Sequence, residues 1–288
     1  MSRLTSAIKN RKYTFFRAQL KVRHHLGDSV SYRAYRATTD IDYFFHVFPE
    51  QKLIYIEVPK AGCTTVKRLL SICAYGVNQD DRPGAYHIRQ QSGLLAPSDV
   101  GVKLFESLLR DPETLIFSVV RNPFSRLRSC YLNKFYDLKI SDPKNTKLIK
   151  QLIGDMSSLS SSDIERDQMS FDSFVKGACA TAALGKDGHW SLMSAIIPDS
   201  SDFTVEIIKL ESLAEGLTPV LDRLGASEEI RSSQAKPLNQ SAPRPEIVWT
   251  EPLADAVARA YAEDFRRFGY DPNYRSGRRS KAAFAGAI

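Results

Sequence analysis

The chain has 288 residues, of which 43% are apolar and 25% are charged, and its formal charge is +7. These proportions are typical of a soluble globular protein and exclude disorder as the main state. The sequence lacks both a run of about 18 apolar residues and the apolar stretch of a secretory signal. We therefore expect the chain to stay in the cytosol.

The positive charge is concentrated at the two ends of the chain. Residues 1–36 hold nine basic residues and one acidic residue, and residues 273–288 hold four basic residues, so residues 37–272 carry a formal −5. We expect three parts: a basic N-terminal arm (1–36), one domain (37–272) and a basic tail (273–288). The arm has two interpretations: a solvated segment packed loosely on the body, or a helix that contacts an anionic membrane.

Four cysteines in a chain of this length, without a C-x-x-C pair, indicate neither a disulfide framework nor a zinc site. We expect four free thiols and no metal.

Two strand-turn-helix units predict the fold class. Residues 53–58 and 115–120 are almost wholly apolar, which is typical of strands buried on both faces. The first is followed by a predicted helix at 64–74 that begins on a threonine, and the second by a helix from Asn122-Pro123 to residue 137. The sequence therefore predicts an α/β fold, with a P-loop-like parallel sheet flanked by helices.

The other predicted elements are less regular. We expect helices at 99–110, with Asp99 as its cap, and at 171–180, 211–224 and 251–268, and a third strand at 203–210. The serine-rich residues 139–170 are interpreted as an insertion or a mobile loop, and residues 227–250 as a loop.

The turn after the first strand has the properties of a phosphate-binding loop. It lies between a strand and a helix N-terminus, where unpaired backbone N–H groups and the helix dipole favour an anion. Lys60 precedes Gly62, so the turn is not the common G-x-x-x-x-G-K-[ST] loop. The alternative is an ordinary turn with a surface lysine.

The second unit offers another anion site. Arg121 ends the strand, and Ser129 lies eight residues later on the following helix. Arginine can bind a phosphate with two hydrogen bonds, although an arginine at a strand end often pairs with a carboxylate instead. If the two strands are neighbours, both turns meet at one sheet edge and suit one ligand with two separated phosphate groups.

Two segments, PKAGCTTVKRLL and FSVVRNPFSRLRSCYLNKF, resemble the signatures of carbohydrate sulfotransferases that use 3′-phosphoadenosine 5′-phosphosulfate. The resemblance covers residues 53–271 and is closest to the chondroitin and dermatan 4-O-sulfotransferases and their bacterial relatives. This chain departs from those relatives in its serine-rich segment and in lacking an N-terminal membrane anchor.

The resemblance implies roles for individual residues. Lys60, Ala61, Gly62, Cys63, Thr64 and Thr65 would hold the 5′-phosphosulfate, and Arg121 and Ser129 the 3′-phosphate. Lys60 would stabilise the charge on the leaving phosphate. Lys236 lies in a polar loop that is interpreted either as a closure over the nucleotide or as a mobile surface loop. The scheme requires no metal.

A general base is expected, because the acceptor hydroxyl has a pKa far above neutral. His87 is the first candidate, His189 beside Trp190 is the alternative, and a carboxylate at 80–99 is a third. Cys63 in the anion loop can be interpreted as a nucleophile, but it has no evident base partner and its small size explains it better.

The leading hypothesis is a cytosolic sulfotransferase that acts on a carbohydrate or glycolipid hydroxyl, and contact with an anionic membrane stays one of the two interpretations of the basic arm. The alternatives are a P-loop kinase or other phosphotransferase, and a protein that binds nucleic acid or an anionic surface. The net negative charge of residues 37–272 argues against a protein that binds nucleic acid. The sequence predicts neither the acceptor's identity nor the oligomeric state.

Overall fold

The computed structural model describes residues 14–20, 40–78, 85–233 and 247–274. Contacts divide the chain into two compact units. The first unit comprises Met1–Val120 and Ile196–Gln240, and the second comprises Arg121–Ala195 and Ser241–Ile288. Lys236, most of the arm and most of the tail lie outside the described residues. The three-part division of the chain stays a prediction.

Most of the elements up to residue 120 belong to a sheet and the helices beside it. They are α1 (Ile41–Phe44), β1 (Phe45–Phe48), β2 (Leu53–Ile56), α2 (Cys63–Tyr75), a 3-10 turn (Ala85–His87), α3 (Arg89–Ser92), α4 (Pro97–Val100), α5 (Val102–Arg110) and β3 (Leu115–Val120).

The rest of the described chain is mainly helical. Its α-helices and strand are α6 (Pro123–Lys134), α7 (Thr146–Ile153), α8 (Ser161–Glu165), α9 (Phe171–Thr181), α10 (Met193–Ile196), β4 (Glu206–Lys209), α11 (Leu213–Gly216), α12 (Thr218–Arg223), α13 (Glu228–Ser233), α14 (Glu251–Ala260) and α15 (Ala262–Phe268).

The four strands form one sheet in the order β1-β2-β3-β4. Strands β2, β3 and β4 are parallel, with Leu53 opposite Leu115 and Ile56 opposite Ser118, whereas β1 is antiparallel to β2. The predicted α/β class is confirmed, and the predicted neighbours β2 and β3 end at the same sheet edge. The antiparallel β1 was not predicted, because its four residues, all buried, are too few to show a period.

Strand β4 is shorter than the predicted 203–210. It pairs with β3 only from Glu206, opposite Phe117, to Lys209, opposite Val120. Strand β3 ends there and Leu210 begins a 3-10 turn, so β4 stops one residue before the predicted end, and residues 203–205 do not pair with β3.

The core of the first unit lies on one face of this sheet. Alternate residues of the strands, including Leu53, Tyr55, Phe117 and Val119, pack against apolar residues of α2 and α12. The opposite strand residues, such as Ile54, are buried as well. Burial on both faces explains why the strands are continuous apolar runs.

The second unit has its own apolar core, and it includes the serine-rich segment. Residues 139–170 form α7 and α8, with Ile149, Leu152, Leu159 and Met169 buried. The interpretation of this segment as a mobile loop was wrong. The serines occupy the exposed positions and turns, while the apolar residues recur at helical spacing, which composition alone conceals.

Three predicted helices are interrupted, and the one predicted at 211–224 consists of α11 and α12 with Leu217 between them. Gly101, at φ 82°, separates α4 from α5, and the Asp99 carboxylate accepts a hydrogen bond from the Ala96 N–H at 2.9 Å, so it caps α4 and not the longer helix. Tyr261 separates α14 from α15, and its hydroxyl donates to the carbonyl of Trp190.

Part of the basic arm is described. Residues 14–20 are helical, Phe16 and Leu20 are buried, and the ring of Phe16 lies 6.5 Å from that of Phe105. These contacts are those of an arm that packs on the body. Among the described residues, no helix is long and apolar enough to cross a membrane.

Candidate active site

The turn between β2 and α2 has an unusual backbone. Lys60 and Gly62 both have positive φ, at 68° and 79°. A left-handed conformation is rare for a lysine and common for a glycine. A Cβ at Gly62 would also lie 2.6 Å from Cδ1 of Leu210. Position 62 therefore needs glycine for its conformation, and a larger residue would also have to displace the end of the Leu210 side chain.

Helix α2 begins without a side-chain cap. Gly62 occupies the cap position and has no side chain that could accept a hydrogen bond from the first turn. The expected threonine cap was wrong, since the Thr64 hydroxyl contacts His87 instead. The N–H groups of the first turn and the helix dipole thus remain available to an anion.

Cys63 opens this helix, but it is not activated. Burial raises the pKa of its thiol to about 12, and the nearby Glu57 carboxylate adds to the effect. The local helix dipole does not overcome these influences. All four cysteines lie in the described part of the chain, and all are free, as predicted.

His87 is held by two side chains of α2. Its Nε2 lies 3.1 Å from Oγ1 of Thr64, and its Nδ1 lies 2.9 Å from Nζ of Lys67. The residue itself is exposed. The first unit thus brings the predicted residues Thr64 and His87 together, and it adds a lysine that the sequence analysis did not assign.

Behind Lys67 lies a buried carboxylate. Nζ of Lys67 is 3.0 and 2.9 Å from the two oxygens of Glu57, and Nε2 of His46 also contacts Glu57, at 2.8 Å. Burial alone would raise the pKa of Glu57, but the hydrogen bond from His46 and the charge of Lys67 hold it well below its usual range. Glu57 is therefore an anion that balances the ammonium.

The segment that carries His87 is tied down by Arg89. Its guanidinium donates to the carbonyl oxygens of Phe45, at 2.8 Å, and Tyr43, at 3.2 Å, and also contacts that of Asp42. Arg89 therefore anchors the residues next to His87 on the start of the sheet.

The buried His46 predicts a pH-dependent stability. Burial, together with the positive Arg89, lowers the pKa of His46 to about 3, from an ordinary value near 6.5. Below about pH 6.5 the unfolded chain therefore binds a proton that the folded chain does not, and stability falls as the pH falls. Between about pH 7.5 and about pH 5 this contributes a loss of about 2 kcal/mol in the free energy of unfolding.

Denaturant unfolding at the two pH values measures this contribution. The His46→Gln variant keeps a donor for Glu57 but does not titrate, so its free energy of unfolding should fall by about 2 kcal/mol less than that of the wild type. An equal fall in both proteins would contradict the assignment.

In the second unit, Arg121 is oriented by its own helix. Its Nε donates to Oγ of Ser125 at 2.9 Å, and Asn122 caps α6 by accepting from the N–H of Phe124. Ser125 and Ser129 are four residues apart and share a helix face. Arg121 and Ser129 are thus brought to one side of α6, and both are half-buried.

His189 has a different environment from His87. Its Nδ1 lies 2.6 Å from the carboxylate of Asp187, and within the described residues its Nε2 has no hydrogen-bond partner. The loop that carries His189 is held by the buried Arg126, which donates to the carbonyl oxygens of Gly188 and Ser191 at 2.6 and 2.7 Å. This is the carboxylate-histidine arrangement that orients a general base.

Sequence reasoning missed Glu57, Lys67, Arg126 and Asp187. One signal was available: a glutamate next to a strand buried on both faces requires a partner, because an unpaired buried charge is costly. Its partner lies ten residues away in α2. Lys236 lies outside the described residues, so its predicted contact with the nucleotide stays a prediction.

The described residues contain no group of three or more His, Cys, Asp or Glu arranged to hold a metal ion. Residues 43–271 match the model of the sulfotransferase family. No curated protein and no solved structure matches the chain. The match spans both predicted signature segments and most of the chain, and the chain therefore belongs to the sulfotransferase family.

Proposed function

We propose that this protein transfers the sulfuryl group of 3′-phosphoadenosine 5′-phosphosulfate to a hydroxyl of a carbohydrate or glycolipid. The observation that carries the proposal is the turn between β2 and α2. Its left-handed Lys60 and Gly62, its uncapped helix and its threonine hydroxyls form a cradle for an anion.

The two phosphate groups of the donor are assigned to the two turns. Lys60, the backbone of residues 61–65 and the hydroxyls of Thr64 and Thr65 hold the 5′-phosphosulfate. Arg121 and Ser129 hold the 3′-phosphate. The hydrogen bond from Arg121 to Ser125 supports the second assignment, because it orients the guanidinium on the helix face that carries Ser129.

Transfer proceeds in line. The acceptor oxygen forms a bond to sulfur as the bond from sulfur to the bridging phosphate oxygen breaks, and adenosine 3′,5′-bisphosphate leaves. Negative charge builds up on that bridging oxygen. The ammonium of Lys60 stabilises this charge most in the transition state, which is where an interaction accelerates the reaction.

A histidine takes the proton of the acceptor hydroxyl. His87 is the first candidate and His189 the alternative, and their hydrogen bonds differ. Nδ1 of His87 faces the ammonium of Lys67, which only donates, whereas Nδ1 of His189 faces a carboxylate. The pairing of Nδ1 with Asp187 orients the ring and leaves Nε2 of His189 to accept a proton.

The acceptor class is supported only by resemblance. Besides the two signatures, the segments around His87, His189-Trp190 and residues 203–213 occur in the order found in carbohydrate sulfotransferases of the chondroitin and dermatan 4-O type.

Ligand titration tests the proposal. Adenosine 3′,5′-bisphosphate should bind the full chain without added metal, and more tightly than ATP with magnesium. Lys60→Ala and Arg121→Ala should each weaken binding by about 10- to 100-fold, the size of a hydrogen bond lost to a charged group. Labelled donor should then transfer sulfate to desulfated glycosaminoglycans or glycolipids.

Lys103→Ala and Lys147→Ala are matched controls, because they remove one charge from an exposed helix position in each unit. Both should bind the nucleotide as the wild type does. A requirement for magnesium, or binding that survives in the Lys60→Ala/Arg121→Ala double variant, would refute the proposed function.

A further inference from the structure

Lys67 is a buried cation beside the anion loop. It is 2% exposed, and its ammonium contacts both oxygens of Glu57 and Nδ1 of His87. An ammonium has donors only, so Nδ1 must accept this hydrogen bond. The buried carboxylate of Glu57 holds the ammonium in the position from which it donates.

The contact determines the protonation of His87. A neutral imidazole has one protonated and one unprotonated nitrogen. With Nδ1 accepting from Lys67, the proton lies on Nε2, and an imidazolium is disfavoured because Nδ1 would then point an N–H at an ammonium. Nε2 therefore donates to Oγ1 of Thr64, 3.1 Å away.

The hydrogen bond from His87 also determines which way the Thr64 hydroxyl donates. Its oxygen accepts from His87, so its own proton points elsewhere, and within the described residues the hydroxyl has no other partner. Thr64 lies in the first turn of α2, where the loop is proposed to hold the phosphosulfate. The hydroxyl is thus a donor to an anion in that loop.

We propose that Lys67, anchored by Glu57, is a positioning residue that holds His87 in the neutral tautomer protonated on Nε2 and so makes Thr64 a hydrogen-bond donor to the bound anion. The inference rests on the proposed function for the identity of the anion. Lys67, His87 and Thr64 form a hydrogen-bond chain in which every donor points towards the loop. His87 then serves as a donor and not as the base of the proposed function, which leaves His189 as the candidate for that role.

The hydrogen-bond chain explains why a lysine is buried at this position. Hydrogen bonds in a chain polarise one another, so the ammonium strengthens the last donor without contacting the ligand. The carboxylate of Glu57 balances the positive charge of the buried Lys67 ammonium.

Nitrogen-15 NMR of the imidazole rings in the ligand-free protein tests the tautomer, and His87→Gln identifies the His87 signals. At neutral pH we expect Nε2 of His87 to be protonated and Nδ1 to be unprotonated. The Glu57→Gln/Lys67→Met variant removes one buried charge of each sign. In this variant we expect a mixture of the two neutral tautomers of His87. The Lys52→Met control, which removes a surface ion pair with Asp111, should leave the wild-type tautomer. A proton on Nδ1 in the wild type would overturn the inference, as would an unchanged tautomer in the double variant.

Binding of adenosine 3′,5′-bisphosphate gives a second measurement. Thr64→Val should weaken binding about tenfold, as for one hydrogen bond to a charged ligand, and Glu57→Gln/Lys67→Met about threefold. Unchanged affinity in both would overturn the role of the hydrogen-bond chain. If the wild type does not bind this nucleotide, the proposed function fails, while the NMR measurement still decides the tautomer.

Discussion

Replacing Arg126 with methionine should lower the free energy of unfolding by about 3–5 kcal/mol. The guanidinium is fully buried, and it satisfies the carbonyl oxygens of Gly188 and Ser191. Burial lowers the pKa of Arg126, while the buried carboxylate of Asp264 opposes this change. Methionine would leave both carbonyl groups without a donor and Asp264 without its nearby cation.

Denaturant unfolding measures this loss. Arg128→Met on the same helix is the control, since Arg128 is only half-buried, and it should lower stability less than the loss of the fully buried Arg126 does. The loop of His189 should also lose order in hydrogen exchange, because Arg126 holds its backbone. A loss below about 1 kcal/mol for Arg126→Met would show that the two carbonyl groups find other donors.

Replacing Lys67 with methionine should also lower the free energy of unfolding by about 3–5 kcal/mol, because it leaves the Glu57 carboxylate buried without a cation. Glu57→Gln in the same chain should recover most of the loss, since the double variant contains no buried charge at these two positions. The two substitutions are therefore strongly non-additive.

A double-mutant cycle by denaturant unfolding measures the coupling. Lys52→Met is the matched control: Lys52 is 42% exposed and pairs with Asp111 at the surface, so its loss should change the free energy of unfolding little. If the double variant were as unstable as Lys67→Met, the buried pair would not account for the loss.

The two residues whose loss should destabilise the protein, Arg126 and Lys67, each support one of the two candidate bases. Arg126 supports the loop of His189, and Lys67 supports His87, so each histidine depends on a buried cation from a neighbouring helix. The partners of the two histidines are opposite in sign, a carboxylate for His189 and an ammonium for His87. The difference distinguishes the two candidates, because a carboxylate partner suits a base and an ammonium partner suits a donor.

Much of the fold could be predicted because it depends on local patterns. The run at 115–120 matches β3, and Asn122 with Pro123 begins α6 as expected. The prediction failed where a pattern was short or masked by composition. Strand β1 has four residues, and the apolar residues of α7 lie in a serine-rich segment.

The sequence by itself determined the two strand-turn-helix units, the glycine turn between β2 and α2, and the eight-residue spacing of Arg121 and Ser129. These features depend on burial, backbone conformation and helix ends, which are local properties of the chain. Only the tertiary structure decided which charged side chains are buried together. Glu57, Lys67 and His87 are separated by 10 and 20 residues, and Arg126 lies more than 60 residues from the carbonyl groups that it holds. Such partners are chosen by how the elements pack, because a buried charge is stable only where the fold supplies its counterpart.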